Sequence, residues 1–254
     1  MERIGIIGVG EIGRAIVAGL CDGVEEPPEV YLSPRGAHAA AELSQRYPSV
    51  QVCADNQDVV NHSEVVILAV RPVGHSEALA GLRIGSDRIV VSVIAGVSIG
   101  ELRQTLGTDA PLVRAIPLPA ARERRSVTVT HPSHPAVEAL FDRLGEALPV
   151  ADEADFSVFS TLTGTLTAHY WYLATLTDWA ARQGIPSEDA DRYVRSLFQG
   201  VGRALGDGTR SLHQLAGDHE TPNGSNERLR TTWFDTANSE ALVKALDALL
   251  THLK

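Results

Sequence analysis

Lysine is almost missing from this chain: Lys244 and Lys254 are the only two among 254 residues. No ammonium group stands earlier in the sequence to form a Schiff base with a carbonyl substrate, so covalent catalysis by a mid-chain lysine is excluded. Cysteine is equally scarce. Cys21 and Cys53 lie far apart without a redox or zinc spacing, so they read as buried or incidental thiols of a reducing, cytoplasmic compartment. No apolar run reaches transmembrane length, and the residues before the first apolar strand are too few for a secretory leader. Positive charge is also in deficit. A formal net charge of −10 repels nucleic acid and anionic membrane surfaces at long range, and neither is expected as a partner. What remains is a chain long enough for one large domain or two modest ones with a substantial core.

Near the start stands Arg3-Ile-Gly-Ile-Ile-Gly8-Val-Gly10-Glu11-Ile12-Gly13-Arg-Ala-Ile, a short buried strand that passes through Gly-x-Gly-x-x-Gly into an amphipathic helix. That order predicts a dinucleotide site. Gly8 permits the tight turn, Gly10 lets the backbone approach a pyrophosphate, and Gly13 lets the helix pack closely on the strand. The helix start adds unpaired N–H groups and a positive dipole end, which makes residues 8 and 10–13 candidate cofactor contacts. The next strand ends in Ser33-Pro-Arg35 where an NAD-selective site would place an acid for the ribose 2′-OH. A hydroxyl and a guanidinium suit a 2′-phosphate instead, so the expected cofactor is NADP.

Strand and helix alternate through the first half. Strands are expected at about 3–8, 29–33, 50–53, 64–70, 89–94 and 112–116, and helices at about 11–22, 36–46, 55–61, 74–80 and 99–106. This is the pattern of a doubly wound parallel sheet, an α/β Rossmann-type domain. Two further strands, at about 126–130 and 148–150, flank a helix at 136–148. From residue 151 onward the pattern is helical. Residues 156–183 are apolar on more than one face, with Leu162, Leu166, Tyr170 and Leu173 on one stripe and Tyr172, Leu176 and Trp179 on another, as in a helix buried in a bundle or between subunits. The expected division is therefore a dinucleotide-binding domain over 1–150 and an all-helical substrate and dimerisation domain over 151–254. A homodimer, or a larger homo-oligomer built on dimers, would bury those stripes.

Across essentially its whole length the chain resembles the pyrroline-5-carboxylate reductases. The resemblance is carried by the Gly8–Gly13 turn, Ser33-Pro-Arg35, Asp55-Asn56, Val65-Val-Ile-Leu-Ala69-Val70-Arg71-Pro72 and Ser92-Val-Ile-Ala95-Gly96-Val-Ser98. It implies that Ser33, Arg35, Asn56, Ala69, Val70 and Pro72, with Arg71 in the same string, lie along NADP, and that Ala95 approaches the nicotinamide. It also implies a helical C-terminal domain that interlocks with a second copy, with substrate between the domains. The substrate motifs depart from the family. Its Met-Pro-Asn-Thr-Pro-Ala stands here as Ile116-Pro117-Leu118-Pro119-Ala120-Ala121, and its Ser-Gly-Ser-Gly-Pro-Ala-Tyr as Thr163-Gly164-Thr165-Leu166-Thr167-Ala168-His169. The carboxylate-binding Ser-Pro-Gly-Gly-Thr-Thr loop stands as Thr221-Pro222-Asn223-Gly224-Ser225-Asn226.

The activity so implied is reduction of a small cyclic imine carboxylate by NADPH, either pyrroline-5-carboxylate to proline or a related imine. Hydride transfer to a C=N carbon needs aligned atoms, a dry slot and a protonated nitrogen rather than a strong acid. His169 is the candidate acid, set against a packing role for a histidine on an apolar helix. Asn226 is the candidate partner of the substrate nitrogen, set against a loop-capping role. Thr163, Thr165, Thr221, Gly224 and Ser225 are the other candidate substrate contacts, the last three as an anion nest. Arg122, Arg124 and Arg125 read as a solvated charge run or as a site for an extra carboxylate. His131, His134, His213 and His219 lack a third ligand at a metal spacing, so no metal is expected. The β-hydroxyacid dehydrogenases share this kind of architecture but use a helix-borne lysine as acid, and no lysine is available here in the first 243 residues. Two alternatives stand beside imine reduction: an NADP-dependent reductase of ketones or 2-oxoacids, and an NADP-binding regulatory protein without turnover.

Overall fold

The computed structural model describes residues 3–253 and divides into two compact units, the first running to Ser160 and the second spanning Thr161–Leu253. In the first unit, β1 (Arg3–Ile7), β2 (Glu29–Leu32), β3 (Val50–Val52), β4 (Val65–Leu68), β5 (Ile89–Ser92), β6 (Leu112–Ile116), β7 (Ser126–His131) and β8 (Gly145–Pro149) form one sheet. Its order is β3-β2-β1-β4-β5-β6-β7-β8. Six helices alternate with these strands: α1 (Glu11–Cys21), α2 (Ala37–Arg46), α3 (Asn56–His62), α4 (His75–Leu79), α5 (Ile99–Leu106) and α6 (Pro135–Asp142).

The central strand β4 is apolar and buried on every residue because both faces of the sheet are covered. In β4, Val65 and Ile67 join one core with α1, α2 and α6, while Val66 and Leu68 join the other with α3 and α5. β1 pairs in parallel with β2 on one side and β4 on the other. The strand order thus reverses at β1, and the crevice beyond its C-terminal end is where open α/β sheets bind ligands.

Three local features differ from the sequence reading. β7 runs antiparallel to β6, with Ala115 opposite Thr130, because the link through the 3-10 turn Pro119–Glu123 is too short for a parallel crossover. The helix expected over 136–148 stops at Asp142, since Gly145 takes φ +138 and a Cβ there would lie 2.4 Å from the Ser126 carbonyl oxygen. The apolar segment 156–183 is two helices, α7 (Glu153–Thr163) and α8 (Thr165–Arg182), which abut at Gly164.

The start of α7 belongs to the first unit. Arg114 on β6 is 5% exposed and donates from Nη1 to Glu153 Oε1 at 2.8 Å. Its guanidinium also covers the Phe156 ring, 4.3 Å from the centroid. Glu153 Oε1 accepts in addition the N–H of Ile99, 3.2 Å away at the start of α5. A buried cation needs such a partner, so the pair binds the first residues of α7 to the sheet.

The second unit continues with α9 (Ser187–Ala204), α10 (Leu212–Asp218), α11 (Ser225–Trp233) and α12 (Thr236–Leu253), and α8 packs on α9. Among the described residues, none of α8, α10, α11 or α12 is buried. Tyr170, Trp171 and Trp179 of α8 are 71%, 70% and 58% exposed. No described helix is long and apolar enough to cross a membrane.

Candidate active site

The glycine turn sits between β1 and α1. Gly8 has φ +105, and a Cβ there would fall 2.6 Å from the Ala69 carbonyl oxygen; at Gly13 one would fall 2.6 Å from that of Gly8. These two glycines let the backbones of β1, α1 and the β4 end come together. Gly10 differs. A Cβ on it would meet nothing within 4 Å, because it borders a cleft of about 400 Å³ lined by Gly8, Val9, Gly10, Arg35, Ala69, Val70 and Arg71. Gly36, Val73, Gly74, Glu77 and Ala78 complete the wall. The opening lies at the first turn of α1, whose Gly10 N-cap has no side-chain cap bond, so its amides are free to receive an anion. A dinucleotide fits this donor set, with backbone N–H groups for a pyrophosphate and the guanidiniums of Arg35 and Arg71 for further phosphate.

The candidate cofactor contacts fall into two groups. Gly8, Gly10, Arg35, Ala69, Val70 and Arg71 line the cleft, and Glu11, Ile12 and Gly13 follow in the first turn of α1. Ser33 stands behind that wall. It is fully buried, and its Oγ accepts the Gly8 N–H at 2.9 Å, so it ties the end of β2 to the turn. Asn56 opens α3 and donates from Nδ2 to the Ala78 carbonyl at 3.0 Å, which links α3 to the segment bearing Gly74 and Glu77. Ala95 is exposed at the end of β5, beside Gly96 at φ +71. The sequence reading missed Val9, Gly36, Val73, Gly74, Glu77 and Ala78; the glycines Gly36 and Gly74, at φ +90 and +83, were the available signal.

The arginine run after Ala121 is structural at two of its three positions. Arg122 pairs with Glu11 at 2.8 Å. Arg124 takes φ +56 and donates to the carbonyls of Gly19 and Asp22, which clamps the 3-10 turn onto α1.

The substrate candidates lie in the second unit. His169 on α8 sits among rings, with centroids 6.0 Å from Phe198 and 6.5 Å from Tyr172, and Tyr172 stacks on Trp233 at 5.2 Å. Thr165 Oγ1 donates to the Leu162 carbonyl at 2.7 Å, across the junction at Gly164. The 221–226 loop is a turn closed by the Gly224 N–H on the Thr221 carbonyl at 2.7 Å, with Asn223 at φ +60. Asn226, in the first turn of α11, donates from Nδ2 to the His219 carbonyl at 2.7 Å. Glu227 returns to accept the Asn223 N–H at 2.5 Å.

A Rossmann-type cleft at the switch point of the sheet is the architecture of a dinucleotide-binding protein, and the relatives below are oxidoreductases. Residues 3–96 match the family described as "NADP oxidoreductase coenzyme F420-dependent", and residues 153–254 match "Pyrroline-5-carboxylate reductase dimerisation". These two matches, with the relatives below, support membership of the pyrroline-5-carboxylate reductase family. It is similar to pyrroline-5-carboxylate reductase 2 of Bacillus subtilis, with 25% identity over 97% of this chain and 92% of that one. Pyrroline-5-carboxylate reductase of Corynebacterium melassecola is 27% identical over 89% and 87% of the two chains. In fold it is similar to 1-pyrroline-5-carboxylate reductase of Streptococcus pyogenes, with a TM-score of 0.78, 24% identity and 98% of each chain covered. The Plasmodium falciparum pyrroline carboxylate reductase with NADP bound gives a TM-score of 0.80 at 16% identity, over 100% of this chain and 97% of that one. The family, the fold class and the dimerisation character of the C-terminal half are thus as the sequence implied.

Proposed function

We propose that this chain reduces the C=N bond of a small cyclic imine carboxylate with NADPH, as its relatives' names describe for pyrroline-5-carboxylate. One observation carries the reading: Gly10, Arg35 and Arg71 line a single cleft in a chain whose other half is a pyrroline-5-carboxylate reductase dimerisation domain. When bound, NADPH supplies a hydride to the imine carbon, and the protonated nitrogen becomes an amine.

The residues of this chain bind and align. The α1 amides and Gly10 take the pyrophosphate, Arg35 takes the 2′-phosphate, and Ala69, Val70, Pro72 and Ala95 border the cofactor. Ser33 acts through Gly8 by holding the turn. On the substrate side, Ser225 and the first-turn amides of α11 receive the carboxylate, beside Thr221 and Gly224. Asn226 has committed its Nδ2 to His219, which leaves Oδ1 to accept the N–H of a protonated imine. The nitrogen then arrives already protonated, and His169 serves chiefly to pack against Phe198 and Tyr172. Thr163 and Thr165 shape the α7–α8 junction next to it. The assembled form is a homodimer or a larger homo-oligomer built on dimers, and two buried free thiols suit a reducing cytoplasm.

NADPH oxidation with pyrroline-5-carboxylate, six-membered and sulfur-containing ring imines, and a panel of 2-oxoacids tests this. Turnover of one or more cyclic imines and none of the oxoacids is expected. Turnover confined to oxoacids, or tight NADPH binding with no turnover on any compound, overturns it.

A further inference from the structure

Outside the cofactor cleft, the first unit brings three ligand-type side chains together. Cys53 follows β3, and Asp58 and His62 occupy one face of α3 four residues apart. Their Sγ, carboxylate and imidazole atoms all lie within 4.8 Å of one another. We propose that Cys53, Asp58 and His62 bind a thiophilic divalent cation of the Zn2+ type.

The donor set selects the ion. A thiol and an imidazole favour Zn2+, Co2+ or Cd2+ over Mg2+ and Ca2+, which demand oxygen ligands. The spacing suits a tetrahedral centre, whose donor atoms stand roughly 3.3–3.6 Å apart given the usual Zn–S and Zn–N lengths. His62 Nδ1 and Asp58 Oδ1 already lie 3.2 Å apart. A side-chain adjustment of about 1 Å brings the thiol to the same edge length.

The surroundings hold each donor residue in place. The Ala54 N–H bonds Asp58 Oδ2 at 3.1 Å, which leaves Oδ1 toward the cluster. Tyr31 stacks on His62 at 5.1 Å with planes 24° apart, which fixes the imidazole plane. The Cys53 N–H bonds the Leu32 carbonyl at 2.9 Å, which fixes the root of the thiol. His62 and Asp58 have side chains 52% and 36% exposed, so solvent can supply the fourth ligand. On binding, the Cys53 thiol loses its proton to solvent as the sulfur–metal bond forms. The imidazole stays neutral, with its proton on Nε2 in place of the Nδ1 contact to the Asp58 carbonyl oxygen. Cys21, whose Sγ contacts Ser49 Oγ at 3.8 Å, belongs to no such cluster among the described residues and is an internal control.

The test is titration of the reduced, chelator-stripped chain with Co2+. A near-ultraviolet thiolate-to-cobalt band that saturates at one ion per chain and is bleached by Zn2+ is expected. Cys53→Ser should abolish the band, Cys21→Ser should leave it, and His62→Ala should weaken Co2+ binding by about tenfold or more. Half-exposed His62 makes the last variant safe for folding, so it decides the matter should Cys53→Ser not fold. Absence of the band from the unsubstituted chain, its survival in Cys53→Ser, or unchanged Co2+ affinity in His62→Ala would overturn the proposal.

Discussion

The two units bury their apolar residues to very different degrees. In the first, both faces of an 8-stranded sheet are covered and side chains such as Ile6, Ile67 and Leu102 are completely enclosed. In the second, Tyr170, Trp171, Trp179 and Leu212 stand in the open. Apolar sequence thus leads to a core that closes on itself in one unit and to helices with a free apolar side in the other. A patch of that kind marks an interaction surface, and here it lies in a family dimerisation domain.

The sharpest way to break the first unit is Gly8→Ala. Strain at φ +105 together with overlap on the Ala69 carbonyl should cost roughly 2–6 kcal/mol. Gly10→Ala, with open space around it, should melt like the unsubstituted chain yet lose NADPH affinity. Thermal melts and calorimetric titration of both variants separate the two effects; equal melting temperatures for both would show that Gly8 is not a structural position.

The second unit is tested by Trp171→Glu with Trp179→Glu. If these rings are anchors between copies, the pair should weaken association by roughly 2–4 kcal/mol, or about 30- to 1,000-fold. Sedimentation should then show monomers at a concentration where the unsubstituted chain is associated. An unsubstituted chain that sediments only as folded monomer would remove the basis of the contrast.

Smaller effects are expected at the sites themselves. Arg35→Ala should lower NADPH affinity by about 10- to 150-fold, the worth of a charge-assisted contact of roughly 1.5–3 kcal/mol, and leave NADH almost unchanged. Equal affinities for the two cofactors in the unsubstituted chain would contradict a 2′-phosphate role. The smallest expected change is a few-fold shift in the ratio of kcat/KM values for pyrroline-5-carboxylate and its six-membered analogue in Asn226→Thr, since substrate choice follows contacts made in the transition state. An unchanged ratio would make residue 226 a loop cap only.

The same contrast explains what could be read from the residues. Val65-Val-Ile-Leu and Gly8-Val-Gly10-Glu-Ile-Gly13 carry their structure locally, so the α/β class and the glycine turn were legible. Gly145 was not: a single backbone angle ended α6, and periodicity does not register it. The Arg114–Glu153 pair joins residues 39 apart through burial alone. Ser33 showed the right chemistry for a phosphate, but its use by the Gly8 amide depends on the approach of β2 to β1, which no local pattern encodes. In the second unit the apolar stripes were plain, yet the commitments of Asn226 and Glu227 arise from a turn whose shape is set by Asn223 at φ +60.

The contiguous run of the first unit has a bearing on how the protein is made. A chain emerging from the ribosome completes that unit, Arg114–Glu153 pair included, before most of the helical residues have been translated, and domains generally fold as units in that order. Newly made second units then carry bare tryptophan and tyrosine surfaces until another copy is met. Their hazard is aggregation, and it should be worst where expression outruns pairing. Slower synthesis, rather than a more stable sheet, is therefore the change that should raise the soluble yield.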